Sequence, residues 1–366
     1  MRGVYIHIPF CTSICSYCDF CKFTYKEVWA SAYLDILEDE IDEYYESDTV
    51  KSIYIGGGTP SCLSIGNLKK LFKVIKKIKL SDDGEFTFEC NINDICEELL
   101  MFLKENNVNR LSIGVESFNK FNLKFLNRKH TKEEIINNIK LAKKYFNNIN
   151  VDLIYALPIE TMHMFMSDVN NLLKLDVNHI STYSLILEEH TVLYNKKIAA
   201  INEDLDFKMY KYICKKFKRK GYVHYEVSNF AKSGFESKHN LTYWDNNEYY
   251  GFGLSSHGYI NNIRYENTRN FNKYLKGEFR FNELLVSTQE EMENEIILGL
   301  RKLKGISIEE FQNRFDLNIF EVFNFDEVIN KGYIINKDGY LFIPEDKIYV
   351  MNEIINMILK WRNSLF

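Results

Sequence analysis

No stretch of this 366-residue chain approaches the ~18 consecutive apolar residues of a membrane-spanning helix. A signal peptide is not expected either. The short apolar run from Val4 to Phe10 is broken by His7 and leads into cysteines with no small-residue cleavage site. The expected setting is therefore a reducing cytosol, with peripheral placement at a membrane left open. There is no basic surplus: the net charge is −5 and the pI about 6.0. That argues against a general nucleic-acid binder, which needs a cationic face to neutralise phosphates. No internal repeat and no low-complexity linker interrupt the chain. Proline is scarce, and of the four present Pro9, Pro60 and Pro158 all follow strand-like runs, which marks those turns as specified.

What the chain does have is bulk and order. With 46% hydrophobic and 27% charged residues it can bury a large core. Its length suits two or three domains, or one barrel with an appendage. Short β-branched runs at Val4–Ile8, Ser52–Ile55, Glu85–Cys90, Arg110–Val115, Asn150–Tyr155 and His179–Leu187 alternate with helical patterns. Trp29, Tyr33, Ile36, Leu37, Ile41 and Tyr44 recur at steps of three and four, on one helix face. Leu68, Leu71, Phe72, Ile75 and Ile78 do the same. So do Ile135, Ile136, Ile139, Ala142 and Phe146, behind a capping box of Thr131 and Glu134. Further helical patterns fall near 95–106, 165–175 and 203–220. Successive β-α units predict an α/β fold with parallel strands and right-handed crossovers, either doubly wound or curled into a partial barrel. In both, a site forms at the carboxyl ends of the strands.

The pattern changes after residue 220. Residues 221–282 are rich in aromatics and glycine and read as a connecting region. Residues 283–366 read as helices followed by a small hairpin, "GYIIN" and "GYLFIP", with a last helix near 347–363: a winged-helix-like domain. From Glu283 onward nine Lys and Arg face fifteen Asp and Glu. A DNA-reading wing is not that acidic, so the expected role is packing or partner binding.

"IPFCTSICSYCDFCKF" places Cys11, Cys15, Cys18 and Cys21 within eleven positions, directly after the first strand. Structural disulfides belong to oxidising compartments and small secreted domains. Zinc sites usually draw two separated ligand pairs, and no second Cys-x2-Cys or spaced His pair exists; four thiolates on one loop can still wrap a zinc ion. Compact cysteine runs are the habit of [4Fe–4S] clusters. Cys62, Cys90, Cys96 and Cys214 are scattered and read as ordinary core or surface residues.

The Cys-x3-Cys-x2-Cys spacing, with the aromatic Tyr17 before the third cysteine, resembles the hallmark of the radical S-adenosylmethionine (SAM) family. The resemblance implies that three thiolates hold the cluster and that the fourth iron chelates SAM, which is cleaved to a 5′-deoxyadenosyl radical. "IYIGGGTP" follows the second strand and resembles that family's SAM amino-group loop. Glycines at a strand end let backbone N–H groups approach a ligand. Rim polar residues come next: Glu89, then Arg110, Ser112 and Glu116 in "NRLSIGVESF", Arg128 and His130 in "LNRKHT", and Asp152 in "VDLIYALP". Each alone reads as a solvated or satisfied charge. Their recurrence in strand segments suits a polar ligand: carboxylates for ribose hydroxyls, arginine for a carboxylate.

Further segments resemble the oxygen-independent coproporphyrinogen III oxidase and heme chaperone group, and its chaperone branch in particular. These are "YIHIPFC", "YCDF", "GGGTP", "STYSLILEEHT" and "GYVHYEVSNFAKSGFESKHNLTYWDNNEYYGFGLSSHGY". The resemblance runs from about residue 3 to 260 and continues weakly through "LGLRKLKGISIEEF". It implies a partial (β/α)6 radical SAM barrel, with Cys11, Cys15 and Cys18 on the cluster. Tyr5, Tyr17, Gly57, Gly58, Thr59, Glu89, Glu116, Arg128 and Asp152 would line the SAM pocket. Cys21 is read as a non-ligand, since an open iron needs only three thiolates. The family usually has Gln at Glu116 and Glu160, Gly at Ala156, and Asn-Pro at Asn91-Ile92. Glu116 keeps an acceptor but loses two donors.

The implied function is a heme chaperone that binds heme and hands it to an acceptor protein. The alternative is a coproporphyrinogen oxidase that decarboxylates two propionates. Oxidase relatives carry a longer segment before the cluster. In "HNLTYW", His239 is the candidate heme contact, with Tyr243 and Trp244 for the porphyrin face; a packed core histidine is the bland reading. A zinc-bearing scaffold explains the cysteines but not the glycine loop. The implied cofactors are the cluster, SAM and heme. The implied partners are heme or a porphyrinogen, a heme acceptor and an electron donor.

Overall fold

The computed structural model describes residues 2–360. Six parallel strands follow one another in sequence order: β1 (Gly3–Ile8), β2 (Thr49–Gly57), β3 (Lys79–Asn91), β4 (Arg110–Glu116), β5 (Asn148–Tyr155) and β6 (His179–Ser184). Helices α1 (Glu27–Tyr44), α2 (Ile65–Ile75), α3 (Glu97–Glu105), α4 (Lys132–Ala142) and α5 (Met162–Lys174) make the crossovers, and α6 (Glu203–Lys218) follows β6. This is the α/β arrangement the alternation predicts. The sheet stays open. The outer side of β1 is taken by β9 (Tyr249–Phe252), which runs parallel to it, and not by β6.

Residues 221–285 supply six more strands to the same sheet. β7 (Val223–Glu226) and β8 (Asn229–Ala231) form a hairpin on β6, leading to the short helix α7 (Lys238–Trp244). Beyond β9 come β10 (His257–Ile260), β11 (Ile263–Asn267) and β12 (Arg280–Leu285), all antiparallel. The full order is β12-β11-β10-β9-β1-β2-β3-β4-β5-β6-β8-β7.

One face of the parallel strands is apolar. Ile6, Ile8, Ile53, Ile55, Phe88, Leu111, Ile113, Val151 and Ile180 are buried under the helices, together with Leu34 and Leu37 of α1 and Leu71 of α2. Trp29 of the predicted α1 face is partly exposed, with the Lys26 ammonium 3.9 Å from its ring. The predicted capping box at Thr131 and Glu134 starts α4, satisfying backbone donors at both residues.

The C-terminal region has its own core around Ile296, Phe311, Val328, Leu341 and Ile354. It comprises α8 (Thr288–Gly299), α9 (Ile308–Phe315), α10 (Met351–Lys360) and a three-stranded sheet. That sheet orders β13 (Ile306–Ser307), β15 (Tyr340–Phe342) and β14 (Ile335–Lys337), the last two forming the expected hairpin. The predicted last helix near 347–363 begins at Met351, and its final three positions lie outside the described residues.

Candidate functional site: a cysteine loop over a polar sheet face

The other face of the parallel strands is polar, and strand period explains it. Successive side chains point to opposite faces. With Ile, Val and Leu turned to the helices, the alternate positions face the opposite way. Strand register sets Tyr54 beside Thr87, Thr87 beside Arg110, Glu89 beside Ser112, Ser112 beside Asn150, and Asp152 beside Ser181. All of these except Thr87 line a cavity of about 480 Å³ together with Cys11, Cys15, Tyr17, Cys18, Gly57, Gly58, Thr59, Glu116 and Arg128. Of the predicted cluster and SAM residues, only Tyr5 lies off this wall. It lines an adjoining cavity that also contains Gly57 and Glu89.

The cysteine loop is tied down at its base. Phe10 and Cys11 pair in parallel with Phe23 and Thr24. Backbone bonds from Ser16 N to Leu126 O (3.0 Å) and from Leu193 N to Ser16 O (3.0 Å) fix its middle between the loops after β4 and β6. Cys11 is buried and accepts a hydrogen bond from Thr59 Oγ1 at 3.5 Å; burial pushes its thiol up to about 11. Arg128 Nη1 donates to Cys15 Sγ at 3.4 Å. Three thiols on one loop, facing a polar cavity, fit a [4Fe–4S] cluster with one open iron. Among the described residues no three His, Cys, Asp or Glu side chains converge as around a single ion. A cubane does not require that, because each iron takes its own thiolate.

Charge in the cavity is concentrated and desolvated. Glu89 accepts from Tyr54 OH at 2.6 Å and from Gly57 N at 3.1 Å. Burial, with repulsion from Asp152 and Glu116, pushes its carboxyl up to about 7. Glu116 accepts from Tyr17 OH at 3.0 Å and lies 3.5 Å from Arg128 Nη2; burial pushes it to about 7 as well. Asp152 accepts from Asn150 Nδ2 at 2.8 Å, and burial raises its carboxyl. Arg110 is 2% exposed. The Nε atoms of Arg110 and Arg128 are buried without a hydrogen-bond partner, that of Arg110 lying 3.9 Å from Glu85 Oε2. A ligand carboxylate is the natural complement of such unpaired donors.

The glycine triplet works differently from the expectation. Gly57 N is spent on Glu89, Gly58 N on Ile8 O at 2.9 Å, and Thr59 N on Phe10 O at 2.7 Å. The glycines serve close packing. A Cβ on Gly56 would lie 2.6 Å from the Glu89 carboxyl carbon. One on Gly58 would lie 2.7 Å from Phe10 O. Gly57 has a φ of +109°, and its Cβ would meet the His7 ring at 2.3 Å.

His239 is not on either cavity. It is 2% exposed, its Nδ1 is 2.9 Å from Ser52 Oγ, and its Nε2 is 2.8 Å from Tyr243 OH. Its ring stacks on Tyr54 at 5.0 Å, and burial lowers its pKa to about 3. Both nitrogens are committed, which leaves none for iron in this arrangement. Tyr243 and Trp244 do reach the adjoining cavity, as does Cys21, which is off the cluster cavity. Sequence reasoning missed Tyr54, Asn150 and Ser181. The available signal was period two: Tyr54 and Asn150 each lie between two apolar residues of their strand, and Ser181 follows the buried Ile180.

Comparison with known proteins supplies the family. Residues 5–172 match the radical SAM superfamily model and residues 286–346 match the HemN C-terminal domain. The heme chaperone HemW of Lactococcus lactis is 41% identical, covering 98% of this chain and 97% of that protein. That of Bacillus subtilis is 37% identical over 98% and 99%, and that of Escherichia coli 29% over 98% of both. Among solved structures, coproporphyrinogen III oxidase (HemN) from Escherichia coli shares the fold, with a TM-score of 0.85 and 20% identity over 97% of this chain and 89% of that one. The cofactors that go with the superfamily are a [4Fe–4S] cluster and SAM. No helix among the described residues is long and apolar enough to cross a membrane. The chain belongs to the HemW family of the radical SAM superfamily.

Proposed function

We propose that this protein binds heme beside a SAM-chelated [4Fe–4S] cluster and passes it to an acceptor protein. The observation that carries this reading is the end-to-end match, at up to 41% identity, to proteins named heme chaperones. In this reading Cys11, Cys15 and Cys18 hold the cluster. When bound, the cluster supplies electrons at low potential to the SAM it chelates.

The chain's own residues position SAM and keep it dry. Arg128, set between Cys15 and Glu116, offers its guanidinium to the SAM carboxylate. Glu89, near neutrality in its pKa and fixed by Tyr54 and Gly57 N, accepts from the SAM ammonium. Asp152, held by Asn150, suits the ribose hydroxyls. Glu116 acts as an acceptor for Tyr17, a role the usual Gln also fills, so the Gln-to-Glu departure keeps this contact. Thr59 holds Cys11, and Tyr5 orders His7 at the boundary with the second cavity through a 2.9 Å hydrogen bond. The reading also requires an electron donor and a heme-accepting protein.

The test is a heme titration of cluster-loaded protein with and without SAM, followed by mixing with an apo heme protein. Saturable binding near one heme per chain, with transfer to the acceptor, is the expected result. Absence of saturable heme binding by cluster-loaded protein overturns the reading.

A further inference from the structure

The second cavity, of about 560 Å³, adjoins the cluster cavity and shares Asp19, Phe20, Gly57 and Glu89 with it. Its volume lies within the usual range of small-molecule sites, roughly 300–1,000 Å³. The SAM reading uses only its edge. Six aromatic side chains line it: Tyr5, Phe20, Tyr243, Trp244, Tyr249 and Tyr259. Aromatic faces of this kind suit a flat macrocycle.

The cavity's histidines sort themselves by availability. His7 has both ring nitrogens occupied, by Tyr5 OH at 2.9 Å and by Cys21 O at 2.8 Å. His239 behind the wall is likewise committed on both sides. His257 is different. Its side chain is 60% exposed, and its ion-pair contact, Glu266 Oε1, lies 3.9 Å from Nε2, beyond hydrogen-bond reach. Register on the β10–β11 hairpin pairs His257 with Glu266 and Tyr259 with Arg264. His257, Tyr259 and Arg264 therefore share one face of the hairpin.

Two guanidinium groups line the same cavity. Arg264 sits 4.8 Å from the Tyr259 ring centroid and reaches Asn246 Oδ1 only at 3.5 Å. Arg269 Nε donates to Ser255 Oγ at 3.2 Å. Among the described residues neither guanidinium has a carboxylate within 4.0 Å. Unpaired arginines beside an aromatic pocket suit a ligand that brings its own carboxylates.

We propose that this cavity is the heme seat, with the His257 imidazole as the protein ligand to iron and Arg264 and Arg269 receiving the two propionates. The proposal deepens the heme-binding reading above and rests on it. It places the macrocycle on the far side of Gly57 and Glu89 from the cluster, with Phe20, 58% exposed, at the boundary. His239 then acts by holding the Tyr243 hydroxyl and not by touching iron.

The test compares heme binding by full-length, cluster-loaded protein and by His257→Ala, read through the Soret band and the EPR spectrum of ferric heme. The cluster's EPR change on adding SAM serves as a folding check in each sample. His257→Ala should shift the Soret band and weaken binding by about tenfold or more, and added imidazole should restore the original spectrum. In parallel, Arg264→Gln with Arg269→Gln should weaken binding of heme but not of its dimethyl ester, which has no carboxylates to receive. An unchanged spectrum and affinity in His257→Ala overturns the assignment while leaving heme binding intact. So does a spectrum that changes only in Cys21→Ser, because Cys21 shares the cavity. Equal losses of heme and ester in the arginine variant overturn the propionate contacts. Wild-type protein that does not bind heme removes the underlying reading and this one with it.

Discussion

Glu160 is a carboxylate where the family usually has Gln, and its surroundings have not become hospitable to charge. It is buried, accepts from Asn122 Nδ2 at 3.0 Å and lies near Asp168, itself tied to Ser117. Burial and the Asp168 charge push its carboxyl up to about 8. The folded state therefore binds the proton more tightly than the unfolded state. Stability carried by the protonated form is present below the unfolded value near 4.5 and is lost as pH rises through about 8. Glu160→Gln should flatten that fall. Urea unfolding at pH 5.5 and at pH 8.5 should show a gain of about 1 kcal/mol or more confined to the higher pH. Arg128 supports a second prediction at this scale. Its contact with Cys15 and its unpaired buried Nε make it the cation nearest the cluster thiols among those discussed. Arg128→Ala should weaken SAM binding by about tenfold to a hundredfold, the worth of a charge-assisted hydrogen bond. The SAM-dependent change in the cluster's EPR spectrum measures it.

The elements that position the site come from two kinds of pattern, and only one is local. β1 to β6 were legible as short β-branched runs set between helical patterns, and the capping box at Thr131 was legible from its own residues, because both signals are local. The glycine loop was legible as a special turn, although its N–H groups turned out to be spent within the protein. The strands from 223 to 285 were not legible. β7 to β11 are three to five residues long, and they are defined by partners far away in sequence, such as β9 on β1. The second cavity depends on those pairings, so His257 and Arg264 gave no signal as a pair. Ala156 illustrates what departure from a pattern costs an element. It follows β5 at a φ of +61°, in the left-handed region where the family usually has Gly. A Cβ there costs roughly 1–2 kcal/mol. Ala156→Gly should raise stability by about 1 kcal/mol, measured as an increased denaturation midpoint with an unchanged m-value.

At the scale of the molecule, three thiols and the polar sheet face share one cavity, and an aromatic cavity adjoins it at Asp19, Phe20, Gly57 and Glu89. The cysteine assignment predicts an unequal outcome for neighbouring thiols. Cys18→Ser should lose the cluster on reconstitution, whereas Cys21→Ser should keep about four irons per chain, as read by iron and sulfide analysis. Stoichiometric zinc without iron in the wild type would instead return the zinc scaffold. The fold is shared with coproporphyrinogen III oxidase at 20% identity, which carries the architecture but not the reaction. The most direct test of the account is therefore an anaerobic incubation of cluster-loaded protein with SAM, a reductant and coproporphyrinogen III, followed by porphyrin analysis, with heme binding measured on the same preparation. The account predicts a cluster that responds to SAM, saturable heme binding and no decarboxylation. Formation of protoporphyrinogen would contradict it and make the protein an oxidase.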